Sequence, residues 1–343
     1  MFVLRFVRRF MRIRGIKPAL TAFIGLMIIY VSFGFINRSV FSQNNIINLL
    51  RSMSIYLLVG VGQSYVLITG NIDLSIGSVT GMSAMISATL MTRGMAPPLA
   101  ILITLLCCLA VGFINGFLVG KFKLPPFIAT LGTMFVARGV AYMVNGNRNT
   151  DAIASGIGKD AADKLQGFFY YGKSLGIFNT FFIAIALFIV FFFLLSRTRT
   201  GRHIYAIGSN IDAAKLSGVN VQATITKVYL VSSFNAFVVG LILCAQAGMG
   251  NMEAGVMYEM YGVAAGVIGG ISPLGGTGIL LGTLAGAAVW RTLENGLSMI
   301  GAQVGIQRIV IGVIVVFAVL LDVVLRSGKR IRRAKPDKPR DST

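Results

Sequence analysis

Residues 196–220 read SRTRTGRHIYAIGSNIDAAKLSGVN, a polar stretch set between two long apolar halves. It opens with a basic cluster at Arg197, Arg199 and Arg202, and continues into a short helix with both ends marked. Asn210 suits the N-cap, because its side-chain oxygen can accept the orphan amide hydrogens of the first turn, and Asp212 favours the positive end of the helix dipole. Lys215 suits the other end, and Gly218 can take the left-handed conformation that closes a helix. A helix this short is marginal alone in water, so it persists by packing against something. That something is the rest of the chain or another protein, and small Ala213 and Ala214 would let a partner approach closely.

The halves on either side fix the class. Of 343 residues, 55% are hydrophobic and only 12% charged, about half the charge of a typical soluble domain. Apolar runs recur at about the 20 residues needed to cross hydrocarbon as a helix, and they do not alternate as barrel strands do. Spans are expected at 19–36, 46–69, 74–92, 97–119, 126–145, 177–196, 226–249, 256–271, 277–299 and 304–325, with broken helices an alternative near Gly77 and Gly275. The expected fold class is therefore all-α, a polytopic membrane protein of about ten transmembrane helices. Its divisions are a basic segment 1–18, a transmembrane domain 19–325 carrying the polar loop 197–225, and a basic tail 326–343.

Lysine and arginine give the orientation, because basic loops stay in the cytoplasm. Alternating the spans gathers 21 of the 31 cations on one face: the N-terminus, Lys121 and Lys123, the 197–227 region and the tail. The opposite long loop, 146–176, holds four cations against three anions. The net charge of +20 is thus a topological signal with attraction to anionic lipid, and not a nucleic-acid footprint. The N-terminal segment is too basic for a removable signal peptide and lacks a small-residue cleavage site.

No catalytic set stands out. Cys107, Cys108 and Cys244 fall inside apolar spans without metal spacing, His203 has no partner ligand nearby, and no cofactor or metal site is expected. The run GFFYYGKS at 167–174 satisfies the phosphate-loop pattern G-x-x-x-x-G-K-[ST]. Four aromatics fill it, however, and a polar helical pattern precedes it where a buried strand should be, so it is read as an interfacial aromatic segment.

A shift of 180 residues superposes Gly70-Asn71 on Gly250-Asn251, Asp73 on Glu253, Asn115-Gly116 on Asn295-Gly296, Gly60 on Gly240 and Gly132 on Gly312. Five crossings reverse direction, so the halves are candidate inverted repeats, the arrangement that gives many transporters two states. Ionisable residues in or beside spans are Asp73, Arg138, Glu253, Glu259, Arg291, Glu294, Arg308 and Asp322. Such groups pair or line water; Arg291 and Glu294 are spaced for a local ion pair, and Arg308 and Asp322 are placed to snorkel.

Four motifs together, ITGNIDLSIGSVTGMSAM (68–85), LPPFIATLGTMFVARGVAYMVNG (124–146), GRHIYAIGSNIDAAKLSGVNV (201–221) and AAGVIGGISPLGGTGILLGTLAGA (264–287), resemble the permease subunits of ribose/xylose/galactose-type ABC transporters. The resemblance covers about residues 20–325. It implies a non-catalytic, multi-pass permease of the bacterial inner membrane, with both termini cytoplasmic, importing a monosaccharide. It also implies three partners: a cytoplasmic ABC ATPase, a second permease (identical or related) and an extracytoplasmic sugar-binding protein. In that family the loop resembling 201–221 inserts a coupling helix into the ATPase, and Gly201, Gly208, Asn210, Ala213, Ala214 and Gly218 match its pattern. Two positions depart from it: Asn71 stands where a second glycine is usual, and Tyr261 follows Glu259 where an aspartate is expected. With Asp73 and Glu259 they are candidate pathway or gate residues, and there the departures imply an unusual substrate. The competing reading is a carrier driven by an ion gradient, with Asp73, Glu253 or Glu294 as the ion-linked carboxylate.

Overall fold

Prolines open two of the long helices. Pro97 and Pro126 occupy first-turn positions, where a fixed φ is preorganised and no amide hydrogen is missed. In a computed structural model of the chain, residues 16–310, 312–314, 316, 317 and 320 are described. The basic segment before Ile16 and the basic tail 326–343 lie outside them, as does Asp322.

The first half comprises α1 (Ile16–Ile36), α2 (Gln43–Ile68), α3 (Ile76–Thr92), α4 (Pro97–Gly120) and α5 (Pro126–Met143). A connecting segment follows, with short α6 (Ala154–Ile157) and α7 (Lys159–Gln166), a π-helical turn over Gly167–Tyr171, and a hairpin of β1 (Lys173–Ser174) and β2 (Ile177–Phe178). The second half holds α8 (Asn179–Arg197), α9 (Arg199–Ser209), α10 (Ile211–Leu216), α11 (Val221–Ala247), α12 (Tyr258–Ile268) and α13 (Leu280–Met299). Residues 304–310 begin a further helix.

Nine of the expected spans, 19–36 to 277–299, fall on helices, and the tenth, 304–325, lies partly outside the described residues; the nine are not equivalent. Six of the described helices, α1, α2, α4, α5, α8 and α11, are individually long and apolar enough to cross a membrane. Of the others, α3 has 17 residues and α12 has 11, about 26 and 17 Å at 1.5 Å per residue against about 30 Å of hydrocarbon. Both are interior. Almost every side chain of α3 is buried, as non-helical backbone at membrane depth requires surrounding protein.

The core is the crossing of α2 and α11, against which α3, α4, α12 and α13 pack. The packing is exchanged between halves: α2 lies on α12 and α13, while α11 lies on α3 and α4. Adding 180 to the bounds of α2, α3 and α4 gives 223–248, 256–272 and 277–300, close to those of α11, α12 and α13. Gly60 of α2 faces α12 and α13, and Gly240 of α11 faces α3. The paired breaks lie at opposite ends of the molecule: Gly70 contacts the 274–275 loop, whereas Gly250 contacts Thr150 of the connecting segment. This is the geometry of inverted repeats. It is broken at the periphery, where α1 leans on α13 but α8 leans on α2.

Candidate functional site

One end of the molecule is built around 196–225. The side chain of Asn210 accepts from the Ala213 amide at 2.9 Å, Asp212 and Lys215 occupy the first and last turns of α10, and Gly218 has φ +80°. The caps read from the sequence are therefore those of the structure. What the sequence reading missed is α9, an amphipathic helix whose Ile204 and Ile207 are buried. Its signal is local, since Gly201, Ile204, Ile207 and Gly208 fall on one face at helical spacing. Tyr205 donates to the Gly278 carbonyl at 2.7 Å, and burial pushes its phenol up to about 12, so it stays a donor at physiological pH.

The six residues of the loop pattern separate by location. Gly201 is buried where a Cβ would strike the Leu195 carbonyl, so it serves the α8–α9 corner. Gly208 is a packing residue as well. A Cβ there would run into the Ile68 carbonyl oxygen and the Gly276 amide. The Gly276 amide donates to that same carbonyl at 2.8 Å, and Gly275 approaches Gly70 so closely that a Cβ would lie 2.8 Å from its nitrogen. Four glycines thus bring three backbones together: the end of α2, the α9–α10 corner and the loop before α13. Ala214 is buried within the chain, so it cannot meet an outside partner, whereas Asn210 and Ala213 are exposed. The outward face of α10 instead carries Ile211 and Leu216, the latter 90% exposed.

Next to this junction the chain breaks before α3. The buried Asp73 carboxylate accepts from the Ser75 amide (2.9 Å) and hydroxyl (2.6 Å) through Oδ1, and from Ser232 Oγ (2.6 Å) through Oδ2. Asn115 donates to Ser75 Oγ at 2.9 Å, and Thr133 donates to Asn115 Oδ1 at 2.6 Å. The Gln63 amide, oriented to pair, donates to the Asp73 carbonyl at 3.1 Å and accepts its N–H at 3.3 Å. The carboxylate itself joins the start of α3 to α11, the Asp73 backbone adds α2, and the relay through Ser75 extends to α4 and α5. Asn71 lies two residues away and donates to Thr69 Oγ1 at 2.9 Å. It lines a cavity of about 600 Å³ with Lys123, Asp212 and Lys215, at the α10 end of the molecule.

Glu259 and Tyr261 lie in the first turn of α12. Half-buried Glu259 lies against Gly77, within electrostatic reach of Arg138. Arg138 of α5 donates to the carbonyls of Met252 and Ala254, each at 2.9 Å, and of Gly77 at 3.4 Å, which ties the 251–257 loop to α3 and α5. Tyr261 packs among Tyr56 (5.3 Å between ring centroids), Tyr258 (5.6 Å) and Trp290 (5.4 Å). Below these rings Glu294 accepts from Arg291 (2.9 Å), Tyr56 (3.0 Å) and Trp290 (3.0 Å), so the local ion pair exists within a larger set. The four candidate gate residues spread along the interior: Asn71 lines the α10-side cavity, Asp73 and Glu259 flank the start of α3 within electrostatic reach of each other, and Tyr261 sits in the aromatic cluster.

A second cavity of about 580 Å³ opens on the end far from α10, lined by Arg51, Tyr171, Gln246, Asn251, Glu253 and Tyr258 among others. Arg51 lies 3.9 Å over the Phe178 ring and 4.4 Å over that of Tyr170. The GFFYYGKS run forms part of its wall: α7 precedes it, a hairpin follows, and the Gly172 amide donates to the Gly167 carbonyl at 2.9 Å, so the segment lacks the strand and helix of a phosphate loop. Cys108 and Cys244 are buried and Cys107 half-buried. Among the described residues no cluster of His, Cys, Asp and Glu could hold a metal ion.

Residues 45–319 match a family model described as a branched-chain amino acid transport system, permease component. The ribose import permease protein RbsC of Bacillus subtilis is 36% identical, covering 90% of this chain and 94% of that protein. The galactose/methyl galactoside import permease protein MglC of Escherichia coli K12 is 32% identical, covering 88% and 92%. The autoinducer 2 import system permease protein LsrC of E. coli K12 / DH10B is 30% identical, covering 92% and 90%. No solved structure matches the chain.

Proposed function

The chain belongs to the family of permease components of branched-chain amino acid-type transport systems, and on that premise we propose that it is the membrane subunit of an ABC importer passing a monosaccharide. The family description spans amino-acid systems and one relative is named for autoinducer 2, but the ribose and galactose permeases that match along about nine-tenths of both lengths support a sugar as the substrate class. The observation that carries the mechanism is α10. It is a capped helix with Ile211 and Leu216 exposed at its two ends, and large apolar side chains left outward on so short a helix support a protein contact. That contact is a cytoplasmic ATPase. Through the glycine junction, a displacement of α10 reaches the end of α2 and the break before α3 without an intervening side chain.

In this reading the α10 end, with both termini, is cytoplasmic, and the connecting segment 146–176 is external. A second permease copy completes the pathway, and a binding protein delivers sugar at the external end. ATP binding and hydrolysis in the partner shift the permease between outward and inward states, because a ligand moves an equilibrium by its differential affinity for the two states. An ion-driven carrier is not favoured. Asp73 has donors on both oxygens, and Glu294 is held by an arginine, a tyrosine and a tryptophan.

The test is reconstitution of the chain with an ABC ATPase and a sugar-binding protein from the same source, followed by accumulation assays with D-ribose, D-galactose and leucine. ATP-dependent sugar accumulation is the expected result. Accumulation driven by a proton or sodium gradient without ATP would overturn the mechanism, and leucine in place of sugar would overturn the substrate class.

A further inference from the structure

We infer that the cavity between Arg51, Tyr171, Gln246, Asn251, Glu253 and Tyr258 is a sugar-receiving vestibule, in which Tyr258 and Gln246 select the substrate by hydrogen bonding its hydroxyls. The inference rests on the proposal that the chain passes a monosaccharide, and it names the residues that handle that sugar at the end far from α10.

Three observations carry it. First, the volume of about 580 Å³ lies within the usual range for small-molecule sites. Second, the lining is mixed in the way a polyhydroxylated neutral ring requires. Aromatic faces stand beside amide and carboxylate groups, and the one cation, Arg51, has its guanidinium covered by Phe178 and Tyr170 and engaged by Asn48 Oδ1 at 2.9 Å. A site for an anionic ligand would leave such a guanidinium open to its ligand. Third, the polar groups divide into those that hold the wall and those that are left over. Tyr171 donates to the Gln246 carbonyl at 2.8 Å, the Asn251 side chain accepts from the Glu253 amide at 2.9 Å, and Tyr142 donates to Glu253 Oε1 at 3.0 Å. Among the described residues, the Tyr258 hydroxyl has no protein hydrogen-bond partner although its ring is enclosed by Tyr56 and Tyr261, and the exposed Gln246 side-chain amide stands open at the same wall. The Tyr258 hydroxyl can be matched by a ligand, and rejection of a ligand lacking the matching hydroxyl follows from leaving that enclosed group unpaired, while the Gln246 amide offers a further donor and acceptor in exchange for water.

The floor is held separately. The carbonyls of Met252 and Ala254 that face Arg138 belong to the loop that also supplies Asn251 and Glu253. Movement of α5 relative to α3 therefore changes the vestibule from beneath, and Tyr258 begins α12, so its position follows the same helix that packs on α2.

The experiment is uptake of radiolabelled D-ribose and D-galactose by the complete importer, with wild type, Tyr258→Phe and Gln246→Leu compared at equal membrane abundance, together with ATP hydrolysis stimulated by the sugar-free binding protein. Tyr258→Phe removes one oxygen and keeps the ring stack. The expected result is a fall in uptake of about fivefold to tenfold for each variant, unequal between the two sugars, with stimulated ATP hydrolysis unchanged. Uptake at wild-type rates and wild-type selectivity in both variants would overturn the vestibule while leaving the importer reading intact. Equal loss for both sugars together with lost stimulation would also overturn it, assigning the cavity to binding-protein docking. Failure of the wild type to take up any sugar would instead defeat the importer reading itself.

Discussion

The Ser232 hydroxyl donates to Asp73 Oδ2 at 2.6 Å across 159 positions of sequence, joining α11 to the break that precedes α3. A buried carboxylate is tolerated only when its oxygens are fully engaged, and here each oxygen has a donor. The same contacts make Asp73 a structural junction between α3 and α11.

Asp73→Ala should therefore act on stability before it acts on energetics. Removing the acceptor leaves the Ser75 and Ser232 donors unpaired, at about 1–3 kcal/mol each. A drop in melting temperature of the detergent-solubilised protein is expected, with residual uptake still strictly ATP-dependent. Uptake that changes from proton-coupled to uncoupled on this substitution would contradict the structural role.

Leu216→Glu tests the ATPase contact more cleanly than a change at Ala214. Leu216 is almost fully exposed, so a charge there leaves the chain's own packing alone, whereas the buried Ala214 would bring a carboxylate into it. Copurification with the ATPase should fall at least about tenfold for Leu216→Glu, at wild-type abundance of the permease. Ala214→Glu should lower abundance itself.

Gly208→Ala should be costly and Gly132→Ala silent. The first pushes a methyl group into the Ile68 carbonyl and Gly276 amide, while the second meets nothing within 4 Å. Overpacking of this kind costs about 1–3 kcal/mol, visible as a lowered melting temperature and reduced transport.

Lys173→Ala should leave transport and nucleotide binding unaltered. The Lys173 ammonium lies 4.8 Å over the Phe178 ring in the hairpin, at the end of the molecule far from α10. Saturable ATP binding by the purified chain alone, lost on this substitution, would reverse the assignment.

Orientation can be read by thiol labelling. Lys164→Cys on exposed α7 should react with a membrane-impermeant maleimide in cells whose inner membrane is intact, and Lys215→Cys on exposed α10 only after permeabilisation. The native cysteines give little background, since Cys108 and Cys244 are buried. Labelling of Lys215→Cys from outside would reject the proposed topology.

What the chain disclosed before folding was its local chemistry. Asn210, Asp212, Lys215 and Gly218 announce α10 because caps act over a few residues, and Arg291 and Glu294 announce their pair because they lie one turn apart. Helix positions and the 180-residue offset were legible for the same reason, as runs and spacings. The partners of Asp73, the inward turn of Ala214 and the convergence of Tyr258 with Tyr56 depend on contacts between distant segments, which no spacing encodes. α9 was missed although its signal was local, since its basic residues read as a topological flank. The separation of Asn71 from Tyr261 was hidden as well, because a gate is defined by the end of the molecule on which its residues meet.

The glycine junction has a consequence for how this protein can vary. Where the α9–α10 corner, the end of α2 and the loop before α13 meet, main chain touches main chain, so no side chain there can be trimmed, and every substitution can only add bulk. The contact that would carry force from α10 is therefore indifferent to which solute passes. Substitutions in the far cavity leave this joint untouched, so in this chain the choice of solute and the transmission from α10 are separable.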